Sequence, residues 1–274
     1  MSNEPENASH EHRAHAALGA SNSSIWLNCP GSHALSADIE RKSTVYAREG
    51  TAAHELAEIH LTQVLKGMVP QSPREIDIEG HKIEVQDEMI QGVGLYVTTC
   101  AHYIEQAVWH GIEVRVSLAE LWAPGRAPFD LFGTADCITL DDNGKLTICD
   151  LKYGKGKMVS PYDNSQLLYY GLGAFLALPR DKRELVTEVE LIIVQPRAGK
   201  EKIKSWSIKL LDLMMWAHDP LKKTVDRIAA GDTTLTSGTH CFFCPAAPVC
   251  PEMRRAKLQR AIEAFPDLPE EDAA

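Results

Sequence analysis

A chain of 274 residues, 44% of them hydrophobic, can bury a sizeable core as one large domain or two small ones. Its formal net charge of −10 excludes a surface coated throughout in positive charge, though a local basic groove on an acidic body remains compatible with it. No stretch approaches the roughly 18 uninterrupted apolar residues of a membrane span, and the polar start MSNEPENASHEHRAH lacks a signal core. A cytoplasmic location without membrane contact is expected, and there the seven cysteines point to reduced thiols or metal ligands rather than disulfides.

Residues 1–20 lack hydrophobic periodicity and read as a disordered tail. "GTAAHELAEIHLTQVL" has helical spacing with Thr51 as N-cap, and "VQDEMIQGVGLYVTTCAHYIEQAVW" reads as a longer helix. Three strands are then expected, "IEVRVSL", "FGTADCITL" and "KLTICDLKY"; the turn signal "DDNGK" makes the last two a hairpin. A helix ("SQLLYYGLGAFLAL"), a strand ("EVELIIVQP"), a partner strand ("KSWSIK") and a helix over roughly 210–230 follow. The acidic, proline-containing segment from about Pro266 again reads as a tail. This order predicts an α/β protein, a mixed sheet covered by helices.

One strand carries an unusual pair of charges. Alternation puts Asp150 and Lys152 on one face and Cys149 and Leu151 on the other, while the hairpin can bring Asp136 beside them. Two carboxylates about 4 Å apart repel by roughly 4 kcal/mol at an effective dielectric near 20, so a half-buried pair calls for a cation. Magnesium or manganese suits such oxygen ligands together with a substrate phosphate, and Lys152 is then placed to hold a water or stabilise charge on the attacked phosphate. A D-x-K alone reads more readily as a surface ion pair on an exposed strand face. Its company is more specific: "GTAD" ends at Asp136, and Gln166 and Tyr170 in "QLLYY" share a helix face.

In these motifs, G-x-x-D, (D/E)-x-K and Q-x-x-x-Y, the chain resembles the PD-(D/E)xK nuclease superfamily and its RecB-like branch, over roughly residues 25–255. The resemblance implies a restriction-endonuclease-like core spanning 21–257, with a tail at 258–274. It implies metal ligation by Asp136, Asp150, the Leu151 carbonyl and a helix histidine, matched by His54. Lys152 would assist the nucleophile, and Gln166 and Tyr170 would lie beside the site. A helix histidine hydrogen-bonded in the interior explains His54 otherwise. Glu58, one turn on, is either a partner orienting His54 or a solvated carboxylate. Glu113 resembles an acid at the start of the family's first strand, but an edge charge accounts for it equally.

Cys241, Cys244 and Cys250 form a C-x2-C-x5-C array one thiolate short of four, and Cys29 in the loop-like "WLNCPGS" is the candidate fourth. Cys100, Cys137 and Cys149 fall inside expected helix or strand as small buried hydrophobes. One early cysteine plus the late array is similar to the iron-sulfur members of the branch, the AddB-type subunits and CRISPR-associated RecB-like exonucleases. That likeness implies a [4Fe-4S] cluster on Cys29, Cys241, Cys244 and Cys250, stapling the two ends of the domain. Four thiolates also suit a structural zinc, and the three late cysteines can be free thiols.

Basic residues cluster in "LKYGKGK" (Lys152, Lys155, Lys157) and around "QPRAGKEKIK" (Arg197, Lys200, Lys202, Lys204), as phosphate contacts or as solvated turns. Tyr153 with Gly154 and Gly156 either admits a phosphate to the backbone or forms a turn. The expectation is a metal-dependent DNA exonuclease, of phage or bacterial recombination, acting on ends or single strands with low sequence specificity, with recombination proteins as its further partners. The alternatives are a non-catalytic DNA-binding accessory protein that keeps the fold, and a zinc-ribbon transcription factor that would leave D-x-K and Q-x-x-x-Y unexplained.

Overall fold

The computed structural model describes residues 16–39 and 43–265. The expected acidic tail from Pro266 and most of the expected amino-terminal tail lie outside the described residues. Within them Leu18 and Ala20 are already core residues, and the last helix runs to Ala264.

Short helices α1 (Ser23–Asn28) and α2 (Ser32–Leu35) precede the long α3 (Val45–Leu65). A small antiparallel hairpin, β1 (Glu75–Ile78) with β2 (His81–Glu84), leads into α4 (Asp87–Ile104). Then come β3 (Ala107–Ser117), β4 (Phe132–Asp141), β5 (Lys145–Leu151), α5 (Ser165–Ala177), α6 (Arg180–Arg183), β6 (Glu188–Val194) and β7 (Ile203–Lys209). Helices α7 (Leu210–Trp216), α8 (Lys223–Ala229) and α9 (Pro251–Ala264) complete the chain.

The five strands β3 to β7 form one sheet in sequence order. Every pair is antiparallel except β5 with β6, the one pair joined by a helical crossover, α5. This is the expected mixed sheet flanked by helices. Strand β5 beyond Lys145 and β4 from Ala135 to Leu140 are fully buried because helices cover both faces. Strand β7 instead alternates exposed and half-buried residues, as suits an edge. One face carries α5, α7 and α8 over Leu146, Ile148, Val189 and Leu191. The other carries α3 and α4 over Cys137, Cys149, Leu151 and Ile192.

The expected β4–β5 hairpin forms at "DDNGK". Asp141 Oδ1 accepts from the backbone N–H groups of Asn143 and Lys145, at 2.9 and 2.8 Å, and Gly144 adopts φ +82°. A Cβ there would lie 2.1 Å from the Leu185 carbonyl oxygen, so only glycine fits.

Three expectations about elements are corrected, and one hairpin is added. Helix α3 starts six residues before Thr51, because the Thr44 hydroxyl caps it by accepting from Ala47 N–H (3.1 Å). Thr51 lies inside the helix, its hydroxyl donating to Ala47 C=O (3.1 Å). Helix α4 ends at Ile104, and the "AVW" read as its end opens β3, where β-branched and aromatic side chains pack better. The helix over 210–230 is broken: Pro220 lacks an N–H and pushes Asp219 to φ −152°, ψ 110°, so a π-helical segment, Ala217–Lys222, separates α7 from α8. The β1–β2 hairpin, with Ile76 and Ile78 buried against α3 and α4, was not expected.

Candidate active site

Three elements converge on Asp136 at the centre of β4. From α3, His54 Nδ1 lies 3.3 Å from Asp136 Oδ2. From β5, the Leu151 N–H donates to the same oxygen at 2.8 Å. From β3, Glu113 lies opposite, between the register pairs Ile112–Cys137 and Val114–Ala135. Ligand atoms of His54, Glu113 and Asp136 all fall within 4.8 Å of one another, a spacing that admits a cation. Glu58 and Tyr96 help line the recess around them.

Glu113 has φ +50° in the middle of a strand. A non-glycine residue held in the left-handed region costs about 1–3 kcal/mol and persists only where its surroundings impose it. Here the strain turns a carboxylate inward. Sequence reading left Glu113 undecided between family acid and edge charge, since nothing in "IEVRVSL" signals a reversed φ.

Asp150, the other central acid, is 2% exposed and looks towards α5. Lys152 Nζ lies 2.9 Å from Asp150 Oδ2 and 3.1 Å from Oδ1, but only the latter has hydrogen-bond geometry. Oδ2 is thus buried beside a charge yet without a directed donor. The same ammonium donates to Gln166 Oε1 at 2.9 Å, and Gln166 Nε2 donates to Tyr170 Oη at 3.4 Å. Asn164 caps α5, accepting from the N–H groups of Gln166 and Leu167, which sets the helix start where Gln166 meets Lys152. The glycine of "GTAD" has a steric role: a Cβ on Gly133 would lie 2.8 Å from the Tyr170 ring.

Asp136, Asp150, Lys152, Gln166, Tyr170 and His54 are therefore brought together where the middle of β4 meets the end of β5. The close three-ligand group takes Glu113 where sequence reading had placed Asp150. Leu151 contributes its N–H to Asp136, pairs with Val194 of β6 and buries its side chain in the core under α3 and α4.

The electrostatics divide the acids. Burial alone would raise Asp136, but the charge and hydrogen bond of His54, the Leu151 N–H and Lys152 outweigh it and hold the carboxyl below its usual range. Burial pushes Asp150 up, and the like charge of Asp136 adds to this against the opposing pull of Lys152. His54 keeps 23% of its side-chain surface exposed although it sits deep among these groups. Burial alone would lower its pKa; Asp136 first, then Glu113 and Asp150, reverse the sign and lift it to about 9.

Of the cysteines, Cys29, Cys241 and Cys250 are buried and Cys244 is half-buried, all as free thiols. Cys29 Sγ accepts from Thr236 N–H (3.3 Å) and Cys241 Sγ from Gly238 N–H (3.4 Å). Burial raises the Cys29 thiol, against the Thr236 and Ser32 N–H groups, with Cys244 and Cys241 adding to the rise as neighbours. Among the described residues no three of these sulfurs lie within 4.8 Å of one another. A zinc ion with bonds of about 2.3 Å would have to draw them closer.

The basic stretches separate as well. The Arg197 side chain, 7% exposed, pairs with Glu49 (2.9 Å) and Glu88 (3.3 Å) and lies 4.5 Å over the buried Tyr153 ring. It clamps α3, α4 and the loop after β5, which corrects its reading as a phosphate contact. Lys155 is paired with Glu88 at 3.1 Å. Among the described residues no helix is long and apolar enough to cross a membrane.

Among solved structures, the chain is similar to the protein SSO0001, at 13% identity and a TM-score of 0.36, over 84% of this chain and 96% of that one. It is also similar to a "putative exonuclease" from Eubacterium rectale, at 8% identity and a TM-score of 0.42, over 87% of each. Residues 15–273, nearly the whole chain, match the family model described as "Protein of unknown function (DUF2800)", and the chain belongs to that family.

Proposed function

We propose that this protein is a metal-dependent DNA exonuclease, serving end resection in phage or bacterial recombination. The observation that carries the reading is the junction of two sets of groups: His54, Glu113 and Asp136 within ligand distance, and Lys152 suspended between Asp150 and Gln166.

A divalent ion fits this donor set, because one imidazole nitrogen and two carboxylates bring their ligand atoms within 4.8 Å of one another and Asp150 Oδ2 is buried without a directed donor. Asp136, Glu113 and His54 would hold it, with Asp150 and the Leu151 carbonyl as further donors. When bound, magnesium or manganese supplies charge neutralisation and lowers the cost of placing an anionic phosphate beside the acids. The chain does the rest. Lys152 Nζ, fixed by Asp150 and Gln166, is aimed at the phosphate and stabilises the charge that builds as water attacks phosphorus. The water gives up a proton as it attacks, the P–O bond to the leaving nucleotide breaks, its oxygen takes up a proton in return, and a phosphate monoester and a hydroxyl result. Gln166 and Tyr170 keep the lysine in line.

What supports a group wider than one ion is the spacing, an early Cys29 and a late C-x2-C-x5-C array at the two ends of the domain, with the Cys29 and Cys241 sulfurs accepting N–H groups of one loop, from Thr236 and Gly238. Cys29, Cys241, Cys244 and Cys250 would hold a [4Fe-4S] cluster that cross-links those ends. Protein purified anaerobically should absorb near 400 nm and carry iron; colourless protein with stoichiometric zinc would overturn this assignment.

End-labelled linear DNA incubated with manganese tests the enzymatic reading. The wild type should release nucleotides and Lys152→Ala should not. Equal absence of cleavage by both, with DNA still bound, would establish a DNA-binding accessory protein instead.

A further inference from the structure

The C-x2-C stretch holds two phenylalanines between its cysteines, and both stand in solvent, Phe242 at 76% and Phe243 at 66% exposure. Their rings meet edge to face with centroids 4.7 Å apart. Each forgoes the burial of a large apolar side chain, worth about 1.5–3 kcal/mol. Yet the segment is anchored: Cys241 beside them is buried and accepts the Gly238 N–H.

Lys157 approaches the same rings, its Nζ 5.9 and 5.8 Å from the two centroids. Its loop is pinned to the sheet by Gln195, which is 5% exposed. Gln195 donates to the Lys157 carbonyl and accepts from Val159 N–H, both at 3.0 Å. Gln195 directly follows β6, whose Val194 carbonyl accepts the Lys152 N–H (2.9 Å). The rings and Lys157 therefore belong to the same end of the sheet as the reactive lysine. Four residues lie between Lys152 and Lys157, so their Cα atoms are at most about 18 Å apart, or about five stacked nucleotides at a rise of about 3.4 Å.

The occupant has to suit flat apolar faces and an ammonium together. An apolar protein surface laid on the rings would strip water from Lys157 and offer no anion in return. A nucleobase lying on a ring with its phosphate at Lys157 satisfies both, and only an unpaired base has a face to give. We infer that Phe242 and Phe243, with Lys157, form a stacking platform for unpaired bases of single-stranded DNA and lead the strand toward Lys152. The direction of the strand rests on the nuclease reading; the binding does not.

Fluorescence anisotropy in EDTA tests it, with a labelled oligothymidylate longer than about 16 nucleotides and a blunt duplex as probes. Phe242→Ala/Phe243→Ala removes only exposed side chains, and an unchanged melting temperature checks that the fold is kept. Its affinity for the single strand should fall about tenfold or more while duplex binding changes little. Wild-type protein should show a comparable loss on an oligomer of abasic sites, which keeps the phosphates. The inference is overturned if the wild type does not bind the single strand, if the variant binds it as well as the wild type, or if abasic and thymidylate oligomers bind equally. Self-association lost in the variant with DNA binding intact would also overturn it, and assign the rings to a protein contact. Cleavage with manganese is scored separately: phenylalanine-dependent binding without cleavage removes the nuclease reading and leaves the platform standing.

Discussion

Gln166 accepts a 2.9 Å hydrogen bond from Lys152, joining the first turn of α5 to the end of β5. A lysine side chain has four rotatable bonds, and this acceptor together with Asp150 selects one placement of its ammonium. Replacing Gln166 by leucine should leave the fold intact and reduce DNA cleavage by roughly 10²-fold, since small displacements of a positioned group carry penalties of that size. The check is initial rates beside an unchanged denaturant midpoint.

Glu113 accepts a strained backbone in order to face Asp136 and His54. Glu113→Gln keeps the shape and removes the charge. Manganese affinity by titration calorimetry should drop by at least about tenfold, while the metal-free protein melts close to the wild type.

His54 makes the metal-free protein pH-sensitive. Its folded pKa of about 9 exceeds the ordinary 6.5, so the folded state keeps a proton that the unfolded chain releases. The stabilisation is fully present below pH about 6.5 and drains away as the pH rises through about 9. In EDTA, the melting temperature of the wild type should fall across that window relative to His54→Gln, which cannot titrate. A cation must displace the same proton, so metal binding should release protons and tighten with rising pH over the same range.

Gly133 makes room for the Tyr170 ring. In Gly133→Ala the new methyl would lie 2.8 Å from that ring and push it off Gln166. A loss of about 1–3 kcal/mol by denaturant unfolding is expected. Tyr170→Leu in the same chain should recover part of it.

Much of the sheet was legible because β4 and β5 are apolar, β-branched runs closed by a glycine turn, and a buried hairpin writes itself in that way. The D-x-K, Gln166 and His54 positions were readable from motif order. Glu113 was not, since its role depends on one backbone dihedral that no residue pattern encodes. Arg197 looked like part of a basic loop because its partners, Glu49 and Glu88, are distant in sequence and come from two other helices. The early start of α3 was hidden by a second threonine, Thr51, about two turns beyond the true cap Thr44 and equally plausible as a cap.

Gly31 presses against the backbone at Thr233, where an added Cβ would lie 2.4 Å from the carbonyl oxygen, and its N–H donates to Thr234 at 2.9 Å. Gly31 thus waits for its seat until some two hundred further residues have left the ribosome, roughly 10–40 s at about 5–20 residues per second. During that interval α1 can settle on α5 once that helix has emerged, while the Cys29 sulfur still lacks the Thr236 N–H that it will accept.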